Sequence, residues 1–298
     1  MNVVVSPFKN PFINLALEDF FLREASALPL CFFYVNRPCV VLGRFQNPWK
    51  ECHLPYLVEN DIWMVRRQSG GGCVFHDEGN LNFSFILPDS SIDRRKHCEL
   101  LQRAFSKAGI VLQISERHDL WVENKEGEWR KVSGSAFKQT KNGSFHHGTF
   151  LVNSDLNKLE ESLRHTFIPK ETKSIPSVRS KVATLNEKYP GIEIQDVIDL
   201  MAFELKSPIT TIDGEILSRP EVQESFQKLT SWEWLWGETP LFEMKTIKGN
   251  MTIRKGQVES PVQMAFTKEN LSEYFSIQEL ANMFPDFSLI QEQSRLIF

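Results

Sequence analysis

Two arginines, Arg66 and Arg67, run through Gln68 and Ser69 into three consecutive glycines, Gly70, Gly71 and Gly72, and then into Cys73-Val74-Phe75-His76. Three adjacent glycines cost conformational entropy to order and bring no side chain to a core. A backbone loop pressed against a flat or anionic ligand would use them, because its N–H groups stay accessible while an arginine holds negative charge. A flexible turn beside two solvated arginines needs the same residue types, so the loop alone leaves both readings open. Its spacing is neither GxxxxGK[ST] nor GxGxxG, which excludes the usual phosphate loop and the dinucleotide fingerprint.

Lys131 is followed by Val132-Ser133-Gly134-Ser135-Ala136, small residues that let a ligand approach the backbone. An ammonium there could sit beside a carboxylate or an α-phosphate, where it counts most in an adenylyl-transfer transition state. On spacing alone, a solvated strand lysine is the simpler reading. The simple reading of His146 and His147 is likewise one ring toward the core and one toward solvent. No HxH, HExxH or carboxylate cluster is present, so a protein-held catalytic metal is not indicated. Magnesium arriving with a nucleotide needs fewer protein ligands, and Asp119 is a candidate. The five cysteines, Cys31, Cys39, Cys52, Cys73 and Cys98, contain no CxxC pair and point to neither a disulfide framework nor a zinc site. Cys73 beside the loop could act as a nucleophile, but a small residue packed under the glycines is simpler.

These groups need elements to hold them. A chain of 298 residues with 41% hydrophobic content can build one large domain, or a large and a small one. A net charge of −4 creates no field drawing it to nucleic acid or an anionic membrane. No run reaches the roughly 18 apolar residues of a membrane span, and residues 1–7 lack signal-peptide features. A cytoplasmic protein is expected, and a trimmed organellar one would look the same. Asn10-Pro11 reads as a cap and first helical residue for a helix over 11–25. Residues 30–35 and 39–42 read as a hairpin or two adjacent strands, and 62–65 and 81–87 read as strands gripping the glycine loop. A helix ends at Gly109, and strands follow at 110–114 and 120–122. Segments 131–137 and 145–152 then read as paired strands. Residues 169–185 read as a mobile basic loop, 194–205 as an amphipathic helix, and 232–237 as an aromatic cluster packed on a domain face. Two strands are expected near 242–246 and 251–258, and a helix near 277–284.

At these residues the chain resembles the lipoate–protein ligase A family. The match runs through PFINLALE at 11–18, GRFQNPWKEC at 43–52, residues 66–85, KVSGSA at 131–136 and HHGT at 146–149, then SVRSKV at 177–182 and Trp232-Glu233-Trp234. It extends over most of the chain to about residue 245. The resemblance implies an α+β fold of mixed sheets flanked by helices, with a catalytic domain over 1–243 and a small accessory domain over 244–298. It also implies a ligase that converts lipoate and ATP, with Mg2+, to lipoyl-AMP. The lipoyl group then passes to a lysine of lipoyl domains, the E2 subunits of 2-oxoacid dehydrogenases or the glycine cleavage H protein. The enzyme is expected to be a monomer with no nucleic-acid or membrane partner.

Carried over by position, the nucleotide falls to Arg67, Gly72, Cys73, Val74, Phe75, Asp119, Lys131, Ser177, Val178 and Arg179. Lipoate falls to Ser69, Gly70, Gly71, His76, Lys131, Ser135, His147 and Gly148, and Lys131 is the catalytic residue. The family commonly has Asn-Asp where this chain has His118-Asp119, and the accessory region is shorter than in the best-known members. Two alternatives stand beside the ligase: a lipoyl or octanoyl transferase that uses no ATP, and a non-enzymatic carrier of lipoyl-AMP.

Overall fold

The computed structural model describes residues 1–24, 29–88, 92–141, 143–165, 169–246, 248–260, 264, 265 and 283. The chain divides into two compact units, one of 1–37, 76–156 and 179–226, the other of 38–75, 157–178 and 227–298.

In the first unit, the Asn10 side chain accepts hydrogen bonds from the amides of Phe12 and Ile13, and proline follows it in the first turn. That is the pattern that starts a helix. Helix Pro11–Arg23 results, with every residue from Pro11 to Leu22 buried. It lies with a six-stranded mixed sheet in the order Ser135–Gln139, Ser144–Leu151, Asn80–Leu87, Leu30–Val35, Asn2–Val5 and Ile209–Thr211. The first four strands are antiparallel neighbours, whereas the last two pairings are parallel. Residues Asn80 to Ile86 of the central strand are all buried, so its polar members need partners. Asn80 donates to Asn82 Oδ1, and Asn82 donates to the Tyr34 carbonyl.

A second, antiparallel sheet of this unit joins Gln113–Ile114, Leu120–Glu123 and Trp129–Ser133. Helices Arg94–Ser106 and Ile194–Leu205 add Leu101, Phe105 and Met201 to the apolar cluster around Phe83 and Phe150. Asp93 caps the first of these helices, and Gly109 at φ +73° follows its end.

The second unit pairs strands Cys39–Leu42 and Trp63–Arg66 in parallel, with Val74 and Phe75 on the other side of Cys39–Leu42. Its other sheet is antiparallel through Glu171–Thr172, Phe242–Thr246, Gly249–Arg254, Gln257–Ser260 and Met264–Ala265. Trp49 stacks on Phe242 at 5.5 Å between centroids and touches Trp236 at 4.9 Å. Val40, Leu42, Met64 and Phe75 complete that core.

Several expectations change. Leu30–Val35 and Cys39–Leu42 form no hairpin, because each enters a different sheet. Segment 131–137 is two strands broken at Gly134. Only Ser135–Gln139 pairs with Ser144–Leu151, while Trp129–Ser133 pairs with Leu120–Glu123. The strand expected over 110–114 shrinks to Gln113–Ile114. Segment 251–258 is a hairpin rather than one strand, since Lys255 and Gly256 both take positive φ in a two-residue turn, as tight hairpins require. The expected boundary between 243 and 244 falls inside strand Phe242–Thr246. The expected helix at 277–284 lies outside the described residues, apart from Met283.

Phe105 is fully buried and meets Phe150 at 4.9 Å. Phe105→Ala should destabilise the first unit by about 3–5 kcal/mol. Chemical denaturation followed by far-ultraviolet circular dichroism measures this.

Candidate functional site

The glycine loop of the second unit is built by its two arginines. Arg66 ends strand Trp63–Arg66 with no exposed surface. Its Nη1 donates to the carbonyls of Gly43, Arg44 and Gln46. Nε and Nη2 donate to Leu235 O, and Nη2 also to Thr239 Oγ1. Burial lowers its pKa to about 10, with Glu238 opposing the shift, so the guanidinium stays charged at neutral pH. Arg67, 5% exposed, donates to Ser69 Oγ at 2.9 Å and to the carbonyls of Val41 at 3.1 Å, Gly70 at 2.6 Å and Gly72 at 2.8 Å. The guanidinium that the sequence offered to phosphate therefore organises the loop itself. Gly43 must be glycine at the adjoining turn, because a Cβ there would lie 2.0 Å from Gly71 O.

Ser177 meets this loop from the 169–178 segment. Its hydroxyl accepts from the Cys73 amide at 2.9 Å and from Gln46 Nε2 at 3.0 Å. It donates to Glu51 Oε2 at 2.5 Å. The segment expected to be mobile is thus pinned at Ser177, and before it by the strand pairing of Glu171–Thr172 and by the Lys173 and Ile175 amides, which donate to Leu241 O and Phe45 O. Val178 beyond it is 59% exposed. Cys73 is buried with its sulfur 3.9 Å from that of Cys52, and all five cysteines are free thiols. Burial, reinforced by this sulfur contact, pushes the Cys52 thiol well above its ordinary pKa. Phe75 points into the apolar core, leaving only its backbone for a ligand.

In the first unit, Lys131 Nζ lies 3.0 Å from Asp119 Oδ1. The lysine's backbone is fixed by its amide to Lys181 O and its carbonyl to the Ala183 amide. Its side chain arches over Gly134, where a Cβ would come within 2.9 Å of Lys131 Cε. Asp119 closes a turn in which its amide donates to Ser115 Oγ and its carbonyl accepts from the Ser115 amide. His118 in that turn has φ +64°. Asparagine, aspartate and histidine are the non-glycine residues most tolerant of this left-handed region, so histidine suits this turn. Ser135 Oγ donates to the His118 carbonyl at 3.4 Å.

Helix Pro11–Arg23 supplies two residues that the sequence reading passed over. Asn14 accepts from Ser6 Oγ and donates to Asn36 Oδ1, and Asn36 Nδ2 donates to His76 Nδ1 at 3.0 Å. One turn further on, Glu18 accepts from His147 Nδ1 at 2.9 Å. The signal was available: Asn14 and Glu18 stand at i,i+4, on one helix face, in a run, 11–18, that is otherwise apolar. Glu51, also missed, is a carboxylate 1% exposed.

His146 and His147 are both buried, at 0% and 7% exposure, so neither faces solvent as expected. The strand that carries them is covered on both faces. His146 Nδ1 lies 3.2 Å from His97 Nδ1 in nearly parallel rings. Of the residues expected at the site, Asp119, Lys131 and Ser135 gather in one place, with Gly148 opposite Ser135 and His147 opposite Ala136 on the adjoining strand, and His76 elsewhere in the same unit. Ser69, Gly70, Gly72, Cys73 and Ser177 gather around Arg67 in the other. Val74 is half-buried and Arg179 exposed. Among the described residues, no group of three or more His, Cys, Asp and Glu side chains could hold a metal ion, and no helix is long and apolar enough to cross a membrane.

Mixed sheets flanked by helices in this chain order are the fold of lipoate–protein ligases. Over 98% of this chain and 99% of the other, the structure matches LipL1 of P. falciparum in complex with lipoate, with a TM-score of 0.68 at 23% identity. A lipoate–protein ligase A bound with ATP matches with a TM-score of 0.65 at 24% identity, over 80% of this chain and all of that one. A structure from Thermoplasma acidophilum, described as a bipartite lipoate protein ligase and its E2 lipoyl domain, matches at 0.63 and 25% identity, over 80% and 97%. The chain belongs to the lipoyl protein ligase A/B catalytic domain family, whose pattern matches residues 10–206. It is an enzyme of the lipoate-ligase type.

Two outcomes follow from the buried arginine and the buried histidines. Arg66→Lys replaces a five-donor fork with three donors and leaves buried carbonyls unpaired. It should cost about 2–4 kcal/mol, read from fluorescence-detected denaturation because Trp49, Trp234 and Trp236 are buried in the same unit. Burial lowers the His97 pKa from 6.5 to about 4, with Asp93 opposing. It lowers the His146 pKa from 6.5 to about 3, with His97, His147, Arg94 and His118 adding to the shift. Both rings are neutral when folded, and the unfolded chain takes up protons below pH 6.5. Their contribution to stability is therefore complete above pH 6.5 and declines as pH falls toward 4 and then 3. The stability difference between wild type and His146→Gln, measured by denaturation from pH 7.5 to 4.5, should narrow toward acid.

Proposed function

We propose that the chain is an ATP-dependent lipoate–protein ligase. The Lys131–Asp119 pair held over Gly134 carries this reading. A lysine placed by a strand and oriented by a carboxylate is a fixed positive charge, the group an adenylyl transfer needs as charge builds on phosphate. The lipoate carboxylate attacks the α-phosphorus of ATP, the bond to the β-phosphate breaks, and pyrophosphate leaves with its electron pair. The ε-amine of an acceptor lysine then attacks the acyl carbonyl, loses a proton, and AMP departs. Neither step requires a protein nucleophile. The residues instead align the reactants and supply charge.

Within this reading, Lys131 holds the α-phosphate and the acyl carbonyl. The Gly72-to-Phe75 backbone lies along the nucleotide, in a loop that Arg67 shapes, and Ser177, Val178 and Arg179 contact the adenylate. Ser69, Gly70, Gly71, His76, Ser135, His147 and Gly148 serve lipoate, with Glu18 fixing the His147 ring. Magnesium keeps several of its own waters and needs few carboxylates. We assign Asp119 as its one protein contact, the ion entering with the triphosphate. The acceptors are lipoyl domains of E2 subunits and H protein, supported by the lipoyl domain paired with the Thermoplasma acidophilum relative. A thiol mechanism finds no support in Cys73, which packs in the apolar core against Cys52.

Lipoate-dependent exchange of pyrophosphate into ATP tests the reading. Wild type should exchange, Lys131→Ala should lose at least about 100-fold, and Cys73→Ser should retain the activity. Lys131→Arg should not restore it, since the planar fork cannot replace a compact ammonium over Gly134. Transfer of supplied lipoyl-AMP to an apo lipoyl domain by a wild type that shows no exchange would replace the ligase with a transferase.

A further inference from the structure

Glu51 is a buried carboxylate inside the 43–52 match to which the catalytic reading gives no role. It closes the short helix Pro48–Glu51, and its Oε2 accepts both the Ser177 hydroxyl at 2.5 Å and the Ser177 amide at 3.3 Å. Among the described residues, Oε1 is buried without a hydrogen-bond partner. The Ser177 hydroxyl has one proton and two lone pairs, and all are committed: the proton to Glu51, the lone pairs to Gln46 Nε2 and the Cys73 amide. With both lone pairs filled by donors, only an acceptor can satisfy the remaining proton. A carboxylate is the strongest such acceptor.

We propose that Glu51 is a positioning residue for nucleotide binding: through Ser177 it fixes the end of the 169–178 segment to the glycine loop and sets the loop's backbone at Cys73. The loop is then shaped by two agents within one unit. Arg67 draws in the carbonyls of Gly70 and Gly72, and Ser177 holds the next amide, that of Cys73. A Cβ on Gly72 would sit 3.3 Å from Ser177 Oγ, which shows how closely the segment seats on the loop. Glu51 touches no reacting atom in this scheme and acts only through Ser177. The proposal rests on the ATP-dependent reading for its nucleotide part, while the anchoring part stands on geometry alone.

Two measurements on the full chain separate these parts. Arg179 is exposed two residues beyond Ser177, whereas Lys173 is held by its own amide and that of Ile175, so trypsin cleavage after Arg179, followed by mass spectrometry without substrates, reports release of the anchor. Glu51→Ala should cleave roughly tenfold faster than wild type. Glu51→Gln, which keeps a side-chain carbonyl acceptor, should stay close to wild type. Ser177→Ala should match Glu51→Ala, and the double variant should be no faster than either single one, since both remove one contact. In pyrophosphate exchange, Glu51→Ala should raise KM for ATP about tenfold with kcat within roughly twofold. Wild-type cleavage in Glu51→Ala overturns the anchor. An unchanged or lowered KM, or parallel loss of kcat in Glu51→Gln, overturns the positioning role. Absence of exchange in wild type overturns the ATP-dependent reading instead, and the cleavage rates still decide whether Glu51 holds the segment.

Discussion

Two adjacent guanidinium groups buried among backbone carbonyls are the constraint on which the second unit depends. A buried charge is tolerated only when hydrogen bonds replace its lost hydration. Arg66 satisfies this with carbonyls from 43–46 and Leu235, together with Thr239 Oγ1. It thereby fastens three stretches distant in sequence. Arg67 does the same for the loop that follows, where glycines supply carbonyls that no side chain screens. The triple glycine and the double arginine are one device: the first offers a deformable backbone, and the second removes its freedom. A loop made rigid in this way can meet a ligand without further ordering cost.

The first unit solves a different problem, the placement of one ammonium. Lys131 takes its direction from a strand and its reach from the missing side chain at Gly134. Its partner Asp119 stands at the end of a tight turn that places His118 in left-handed backbone. Strain at such a residue persists only where its surroundings over-determine it, and the hydrogen bonds among Ser115, His118 and Asp119 do so.

Buried polar chains on helix Pro11–Arg23 link the fold to the residues assigned to lipoate. Asn14 and Glu18 occupy successive turns of one face, and each ends on a histidine, His76 through Asn36 and His147 directly. Helical geometry makes the i,i+4 spacing a single surface, so a shift of this helix would disturb both histidines. The neutral His97–His146 stack sits in the same unit and contributes packing rather than charge.

Local residue chemistry was enough to determine much of this protein. Asn10-Pro11 set the helix start and the apolar period over 194–205 marked helix Ile194–Leu205, while the family came from the resemblance that residues 66–85, KVSGSA and HHGT carry jointly. These features depend on near neighbours, which sequence displays directly. Sheet membership did not, because Leu30–Val35 and Cys39–Leu42 look alike yet enter different sheets, and strand pairing is a long-range choice. The use of Arg67 also escaped the sequence. A guanidinium binds phosphate or carbonyls equally well by type, and only the tertiary position of Val41, Gly70 and Gly72 around it directed those donors inward. Glu18, Asn36 and Glu51 acquired roles for the same reason: burial brings together polar groups far apart in sequence, 129 residues for Glu18 and His147, and obliges each to find a partner.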